Sequence, residues 1–477
     1  MDFEIIDYNI TPVENKLYNP NTTLKIPDGF TNILEKIKDR NVFIHGFAGT
    51  GKSTRIQYLK KVFEENNKKI ILTSTTGISA ININGITIHS FSGIGYAEDD
   101  KEIIMSKMGP MRQNLLCEKF KKYDAIVIDE VSMLSGSYLD KINYVFQHIL
   151  RNDKPFGGKQ IIFSGDVLQL PPISDTEEVD YFFKSDIWKQ IQPNLYIIEL
   201  NRPFRQIQDK TWFDLLMRIR YDVMNVKDHE LLESRLIKNF TEDQIPKHCP
   251  MLYPTKKSVN YYNEKKINEL KTEEFKYEAY DITFNFSDEQ KMKYIFNPSI
   301  SFLTTYKIKD SAENDKLKLK FDDYSEQIKK FKIGATVMLT TNMYMLDTCY
   351  LANGSQGVIH SFLHRSVNVE FTQYPGKIIP IPYYAHQIHI NNTTFARYQI
   401  PLILSWAVTI HKVQGISLDC AKIDIGNSIF EASQSYVALS RVKKLSGVYL
   451  LHYNRNSIIS NKEAIEYAIC LSKFADH

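Results

Sequence analysis

From Asn41 onward, short apolar runs alternate with longer amphipathic stretches. NVFIH (41–45), KIILTS (69–74), YDAIVIDE (123–130) and KQIIFSGD (159–166) are nearly continuous in β-branched, aliphatic and aromatic residues, whereas KSTRIQYLKKVFEE (52–65) spaces its apolar positions as a helix does. Strands apolar on both faces, joined by helical crossovers, predict a parallel sheet covered on both sides. A second set follows late in the chain: MLYPT (251–255), LILSWAVTI (402–410) and GVYLLHY (447–453). The pattern therefore predicts two α/β cores in tandem.

The strands of the second core are interrupted by a long segment of different composition. Residues 307–332 carry 14 charges in 26 positions, which predicts a solvated insert. IGATVMLTTN, the turn NGSQG, VIHSF and VNVEF then predict short alternating strands in a small antiparallel barrel. The expected boundaries are an N-terminal extension (1–24), a first core (25–200) with a small insert near 93–122, a second core (201–264 and 400–477), and an insert (265–399) whose barrel covers about 333–399.

Composition narrows the function classes. The net charge of +3, from 59 Lys and Arg against 56 Asp and Glu, means that any surface for a polyanion must be local. Five dispersed cysteines without a CxxC argue against a disulfide framework or a zinc site and predict a reducing compartment. His386 and His389 form an HxxH pair without a nearby acid or thiol, and are expected to be surface or barrel histidines. MDFEIIDYNI lacks the basic and apolar regions of a signal peptide, and no apolar run approaches ~18 residues, so neither secretion nor a membrane is expected. The expected location is intracellular, in the nucleus, the cytoplasm or a viral replication site.

The strongest motif is Gly46-Phe47-Ala48-Gly49-Thr50-Gly51-Lys52-Ser53, followed by Thr54, a match to GxxxxGK[ST] placed between a strand and a helix. Backbone amides curl around phosphate oxygens there, Lys52 reaches the terminal phosphates of ATP, and Ser53 holds Mg²⁺. The run Ile126-Val127-Ile128 ends in Asp129 and Glu130. Asp129 is the expected second Mg²⁺ ligand, and Glu130 the group that orients or deprotonates an attacking water.

In FSGDVLQLPPI, Gln169 follows a third strand and precedes Pro171 and Pro172. A neutral amide there can sense phosphate without adding charge, and the prolines stiffen the loop that carries the signal outward. Arg205 in NRPFRQ and Arg441 in YVALSRV are candidates to stabilise transition-state charge from across a cleft. Thr75, His89 and Phe91 in the first core, and Thr255, Thr409 and His411 in the second, are candidates to hold a nucleic-acid strand, with Tyr344 as a further stacking ring.

These residues carry a family resemblance. GFAGTGKST, STTGISAININGITIHSF, VIDEVSML, KPFGGKQIIFSGDVLQLPPI, NRPFRQ, VMLTTN with LANGSQGVI, VTIHKVQGISLD and YVALSRV occur in order from about residue 41 to 450, and the chain resembles the Pif-one-like DNA helicases of the RecD-like branch of superfamily 1. The resemblance implies two tandem RecA-like P-loop domains, a small wedge insert in the first and an SH3-like β-barrel insert in the second. It also implies ATP-driven movement 5′ to 3′ on single-stranded DNA; single strands and duplex junctions are the expected partners, and a monomer is expected. Lys52, Ser53, Asp129, Glu130, Gln169, Arg205 and Arg441 take the roles given above, and Gln414 and Gly415 couple nucleotide state to the DNA groove. One family feature is missing: the first glutamine is Gln57, after the phosphate loop, so the usual adenine-reading glutamine ahead of it is absent and the choice of nucleobase stays open. The chain is expected to be little more than a helicase core.

Two other classes fit parts of the pattern. A nucleotide kinase would need one core and a substrate lid, and a single-strand-binding scaffold would have lost turnover. The second core with Arg441 counts against the first. Intact Lys52, Asp129, Glu130, Gln169 and both arginines count against the second.

Overall fold

The computed structural model describes residues 33–472 apart from 39, 77–78, 81–82, 95–98, 173–177, 247–248, 286–325, 342, 346–348, 352–354 and 391–392. Six parallel strands form the first sheet: β1 (Val42–Gly46), β2 (Ile70–Ser74), β3 (Ile86–Thr87), β4 (Ala125–Asp129), β5 (Gln160–Gly165) and β6 (Tyr196–Leu200), in the order β3-β2-β4-β5-β1-β6. The register sets His45 beside Gly165 and Ser74 beside Asp129. The exits of β1, β4 and β5 therefore open along one edge of the sheet. Four of the strands match the runs read from the sequence; two-residue β3 and β6 do not stand out there.

KPFGGKQ has a structural role. Phe156, Gly157 and Gly158 all take left-handed backbone angles, and Phe156 is fully buried beneath the helix Gly136–Leu150. A Cβ on Gly157 would lie 2.8 Å from the Phe146 carbonyl oxygen, so the turn admits only glycine. It delivers the chain into β5.

The second sheet contains Ala407–Thr409, Met251–Tyr253, Ala421–Ile425 and Val448–Tyr453, all parallel and in that spatial order. LILSWAVTI does not form the single strand expected. Leu402–Leu404 pairs antiparallel with Thr336–Leu339 in the insert, and only Ala407–Thr409 enters the second core. Asn263 makes the break. Its amide donates to the carbonyls of Leu404 and Ala407 at 3.1 Å each, and its oxygen accepts from Ala407 N at 2.9 Å. A side chain thus takes the bonds that a continuous strand would give its neighbours.

The insert is antiparallel. A five-stranded sheet orders Ile378–Pro382, Ser366–Phe371, Gln356–Leu363, Thr336–Leu339 and Leu402–Leu404, and a three-stranded one orders Tyr384–Ile390, Thr393–Gln399 and Tyr280–Asn285. Glu274–Glu278 pairs with Ile328–Lys332, so strands join the insert ahead of residue 333. All share one apolar cluster that includes Ile282, Phe331, Val337, Val369 and Ala396. The charged segment through 325 and the start of NGSQG lie outside the described residues, as do the side chains of Tyr344, His386 and His389.

The end of the charged run departs from the solvated face expected. Lys329 and Phe331 point inward, and the Lys329 ammonium donates to the carbonyls of Ile400 and Leu402 at 2.8 and 3.0 Å. A period-two strand buries every second residue whatever its charge.

After the last strand the chain returns to the first core. The helix Lys462–Ser472 inserts Ala464, Ala468 and Leu471 into the first apolar cluster. Tyr467 stacks on Phe183 with ring centroids 4.0 Å apart, and its hydroxyl accepts from Trp188 Nε1 at 2.7 Å. The sequence reading assigned this helix to the second core, and its burial ties it to the first. Among the described residues no helix is long and apolar enough to cross a membrane.

Burial pulls the Lys329 ammonium down to about 7. An unfolded lysine holds its proton to about pH 10.4, so between these limits the unfolded chain binds more protons and the folded insert gains stability as pH rises. Lys329→Met is expected to remove this gain. Urea midpoints at about pH 7 and pH 9 check it, and an unchanged pH dependence in the variant would count against the assignment.

Candidate nucleotide site and nucleic-acid face

The phosphate loop leaves β1 at Gly46 and turns into the helix Lys52–Glu65. Thr50 donates its hydroxyl to Phe47 O at 3.0 Å, and Arg55 Nη1 donates to Thr50 O at 3.0 Å, closing the loop on itself. Gly49 has φ +85°, and a Cβ there would meet Arg205 Cβ at 2.6 Å. The loop is therefore held from above by the segment that leads into the second core. Phe204 N and Arg205 N donate to Gly49 O at 2.8 and 3.3 Å.

Lys52 is buried and donates to Gly46 O at 2.7 Å and Phe47 O at 3.2 Å. Burial holds its ammonium below the usual lysine range, against the pull of Asp166, Glu130 and Asp129. Ser53 and Thr54 are exposed on the first helical turn.

Asp129 ends β4, and Glu130 follows at φ +53°, a left-handed conformation that a non-glycine residue adopts at a cost. Thr75 secures it: its hydroxyl donates to Glu130 O at 3.0 Å and its amide to Asp129 O at 3.2 Å. Burial, with the neighbouring Glu130 charge second, pushes the Asp129 carboxyl up to about 7. Its Oδ1 is buried without a hydrogen-bond partner among the described residues. A desolvated carboxylate oxygen and a serine hydroxyl are oxygen donors of the kind that suits a hard divalent cation such as Mg²⁺.

Asp166 follows β5, and Gln169 Nε2 donates to its Oδ2 at 3.3 Å. Arg220 grips the same carboxylate at 2.6 Å, holding Asp166 down at about 2 despite complete burial. His45, in β1, is pushed down to about 3 by burial and is neutral.

The second core meets this edge at several further places. Gln414 Nε2 donates to Glu130 Oε2 at 3.0 Å, and Gly415 follows it at φ +81°. Ala48 N donates to the Tyr436 hydroxyl at 3.3 Å. Arg205 spans to Ser417 Oγ at 2.7 Å and Ser440 O at 3.0 Å, and Gln206 to Ser440 O and Val442 O at 3.2 Å each. Arg441 is buried, donating from Nε to Val437 O at 2.9 Å, with the Glu130 charge the strongest influence opposing its desolvation. Burial, then Arg441, pushes Arg205 down to about 9, still charged at neutral pH.

The candidates Lys52, Asp129, Glu130, Gln169, Arg205, Gln414 and Arg441 thus lie along one seam. Asp166's partner Arg220, together with Gln206 and Tyr436, escaped the sequence reading. Gln206 and Tyr436 lie inside the quoted arginine motifs, but nothing around Arg220 signals a contact with a residue 54 positions earlier.

The nucleic-acid candidates divide. Thr409 ends a strand paired with Met251–Tyr253, Thr255 lies two residues beyond that partner, and the His411 ring stacks near Phe430 at 6.2 Å. Thr255 also caps the helix Lys256–Glu269, accepting from Ser258 N at 3.2 Å. Lys412, next to His411, is lowered to about 8 by burial and then by Lys256, which places two cations beside these hydroxyls. In the first core His89 is half-buried with its ring 4.7 Å from Tyr138. Two expectations need correction. Phe91 is 0% exposed among Phe120, Tyr123 and Phe146, leaving no face for a base. Thr75 is buried, with its hydroxyl turned to Glu130 O.

Residues 25–221 match the family model of the PIF1-like helicases. The chain is 29% identical over 496 residues to the ATP-dependent DNA helicase RRM3 of Saccharomyces cerevisiae, covering 91% of this chain and 66% of that protein. It is 30% identical over 438 residues to the ATP-dependent DNA helicase PIF1 of Xenopus laevis, covering 90% and 62%. Over its first core the chain matches that family model, and over about nine tenths of its length it is similar to these helicases. It spans less than two thirds of the length of these relatives. The crystal structure of Pif1 helicase from Candida albicans superposes with a TM-score of 0.75 at 27% identity, covering 92% of this chain and 98% of that one. The PIF1-like architecture, with its two RecA-like domains, is the frame in which the seam residues stand.

The burial of Phe91 makes a separable prediction. Phe91→Ala is expected to cost about 3–5 kcal/mol of stability while leaving single-stranded DNA affinity at a temperature where the variant is folded. Denaturant unfolding and fluorescence anisotropy of a labelled oligonucleotide check the two halves.

Proposed function

We propose that this chain is an ATP-driven motor that moves 5′ to 3′ along single-stranded DNA and separates duplex at a junction, hydrolysing ATP between its two cores. The observation that carries the reading is the 3.0 Å bond from Gln414 to Glu130. It wires the second core to the acid beside the phosphate loop, a connection that a single-core nucleotide kinase does not need.

Water attacks the γ-phosphorus while the bond to the ADP oxygen breaks, and Glu130 takes the proton of the attacking water. Lys52 binds the terminal phosphate oxygens. Arg205 and Arg441 stabilise the charge that spreads over the transferring group, and because they reach it through contacts with the second core, hydrolysis depends on closure. Gln169 senses the γ-phosphate. Ser53 and Asp129 would hold Mg²⁺, which supplies charge neutralisation at the phosphate oxygens. Gly46 to Thr54 form the cradle, and Gly415 gives the backbone beside Gln414 the freedom to shift between nucleotide states. Both faces of the site come from one chain, so a monomer contains a whole site.

Thr255, Thr409 and His411, with Lys256 and Lys412, form the better-supported half of the track, since hydroxyls and ammonium groups there can meet sugar-phosphate without reading bases. The 5′-to-3′ direction is supported by the resemblance to the PIF1-like helicases and the insert by its antiparallel strand pattern.

Two partial duplexes, one with a 5′ single-stranded tail and one with a 3′ tail, test the motor in ATP and Mg²⁺. Strand release from the 5′-tailed substrate alone is expected, with Lys52→Ala abolishing release and hydrolysis while keeping single-strand binding. Release from the 3′ tail alone would overturn the direction. Binding without release or hydrolysis by the unaltered chain would favour a scaffold.

A further inference from the structure

The Asp166–Arg220 pair joins the two cores at the residue that holds the sensor. Arg220 ends the helix Lys210–Arg220, whose Trp212, Leu215, Leu216 and Ile219 lie in the apolar cluster of the second core. Asp166 follows β5 of the first. The pair is buried on both sides, with side-chain exposures of 3% and 0%, and bidentate, with Nη2 to Oδ1 at 2.6 Å and Nε to Oδ2 at 3.4 Å.

Gln169 is drawn into the same contact. Asp166 caps its own turn, accepting from Leu168 N at 3.2 Å, and Gln169 N donates to Asp166 O at 3.0 Å. Val167 and Leu168 pack into the first core, but Leu170 packs into the second. The sensor therefore sits where the chain passes from one apolar cluster to the other. Its Nε2 donates to Asp166 Oδ2, and its Oε1 is buried without a partner among the described residues. An ionised carboxylate only accepts, so the nitrogen must face Asp166 and the oxygen must face away.

We propose that Arg220 is a positioning residue for Gln169: acting through Asp166, it fixes the amide so that the carbonyl oxygen is the end offered to the reacting phosphate. This rests on the function proposed above and deepens it. A carbonyl oxygen accepts from a water or from the Lys52 ammonium and repels phosphate oxygens, so Gln169 so held orients the donor beside the γ-phosphate. When the second core withdraws, Arg220 withdraws with it, Asp166 loses its anchor and the amide is free to turn. The arginine thereby ties the sensor to the position of the second core without touching nucleotide.

The experiment measures kcat and KM for ATP at saturating single-stranded DNA in the unaltered chain, Gln169→Ala, Arg220→Gln, the double replacement Asp166→Leu with Arg220→Met, and that pair combined with Gln169→Ala. Replacing a buried ion pair by apolar groups of similar size commonly preserves folding, so the paired replacement keeps the test open if Arg220→Gln unfolds. Gln169→Ala and the paired replacement are each expected to lower kcat about tenfold with little change in KM, the worth of one oriented hydrogen bond to a charged or reacting group. Their combination is expected to cost no more than either alone, and Arg220→Lys to restore part of the loss. Losses that multiply in the combination, or a folded paired replacement with unaltered kcat, would overturn the proposal while leaving the motor intact. An unaltered chain that does not hydrolyse ATP would remove the motor reading and this inference with it.

Discussion

Charge buried at the junction of two sheets is the constraint on which the rest of this molecule depends. Lys52, Asp129, Glu130, Asp166, Arg220 and Arg441 are all buried, and an ion removed from water costs several kcal/mol unless it is matched. Each core supplies only part of the match. Asp166 needs Arg220 from the second, Glu130 takes a proton donor from Gln414, and the phosphate loop takes the Tyr436 hydroxyl. The seam is closed by complementary charge and backbone dipoles rather than by apolar fit alone.

Several local rules are broken at this seam. Glu130 holds a left-handed conformation, Asp129 keeps an unpartnered oxygen, and Gln169 and Gln414 each bury an amide oxygen without a partner among the described residues. Strain and unmet hydrogen bonding concentrate where a site must be ready for a ligand. The surroundings over-determine these positions: Thr75 pins Glu130 from β2, and the Gly49 carbonyl accepts two amides from residues 204 and 205.

The parallel strands and the phosphate loop were legible in the sequence because they are local: continuous apolar runs, glycines at fixed offsets and a helix that begins at its lysine. Harder to read were features decided by distant partners. LILSWAVTI carries the composition of one strand, yet Asn263, far earlier in the chain, divides it between two sheets. Phe91 looked like a stacking ring because it follows Thr87, His89 and Ser90, and only its packing with Phe120 and Phe146 shows it to be core. Lys329 belongs to a run that reads as solvated, but strand alternation turns it inward. Arg220 had no local signature, since its meaning lies in a contact across both clusters.

The return of the helix Lys462–Ser472 to the first core means that the chain crosses between the cores twice, once near residues 201–209 and again between Tyr453 and Lys462. Two bodies pinned at two separate points lose most of their relative freedom: the easy motion left is a swing about the line joining the pins. Groups far from that line travel most for a given swing and groups near it hardly move. Any movement of one core against the other is accordingly confined to a swing about that line, and the leverage of a seam residue follows from its perpendicular distance to it.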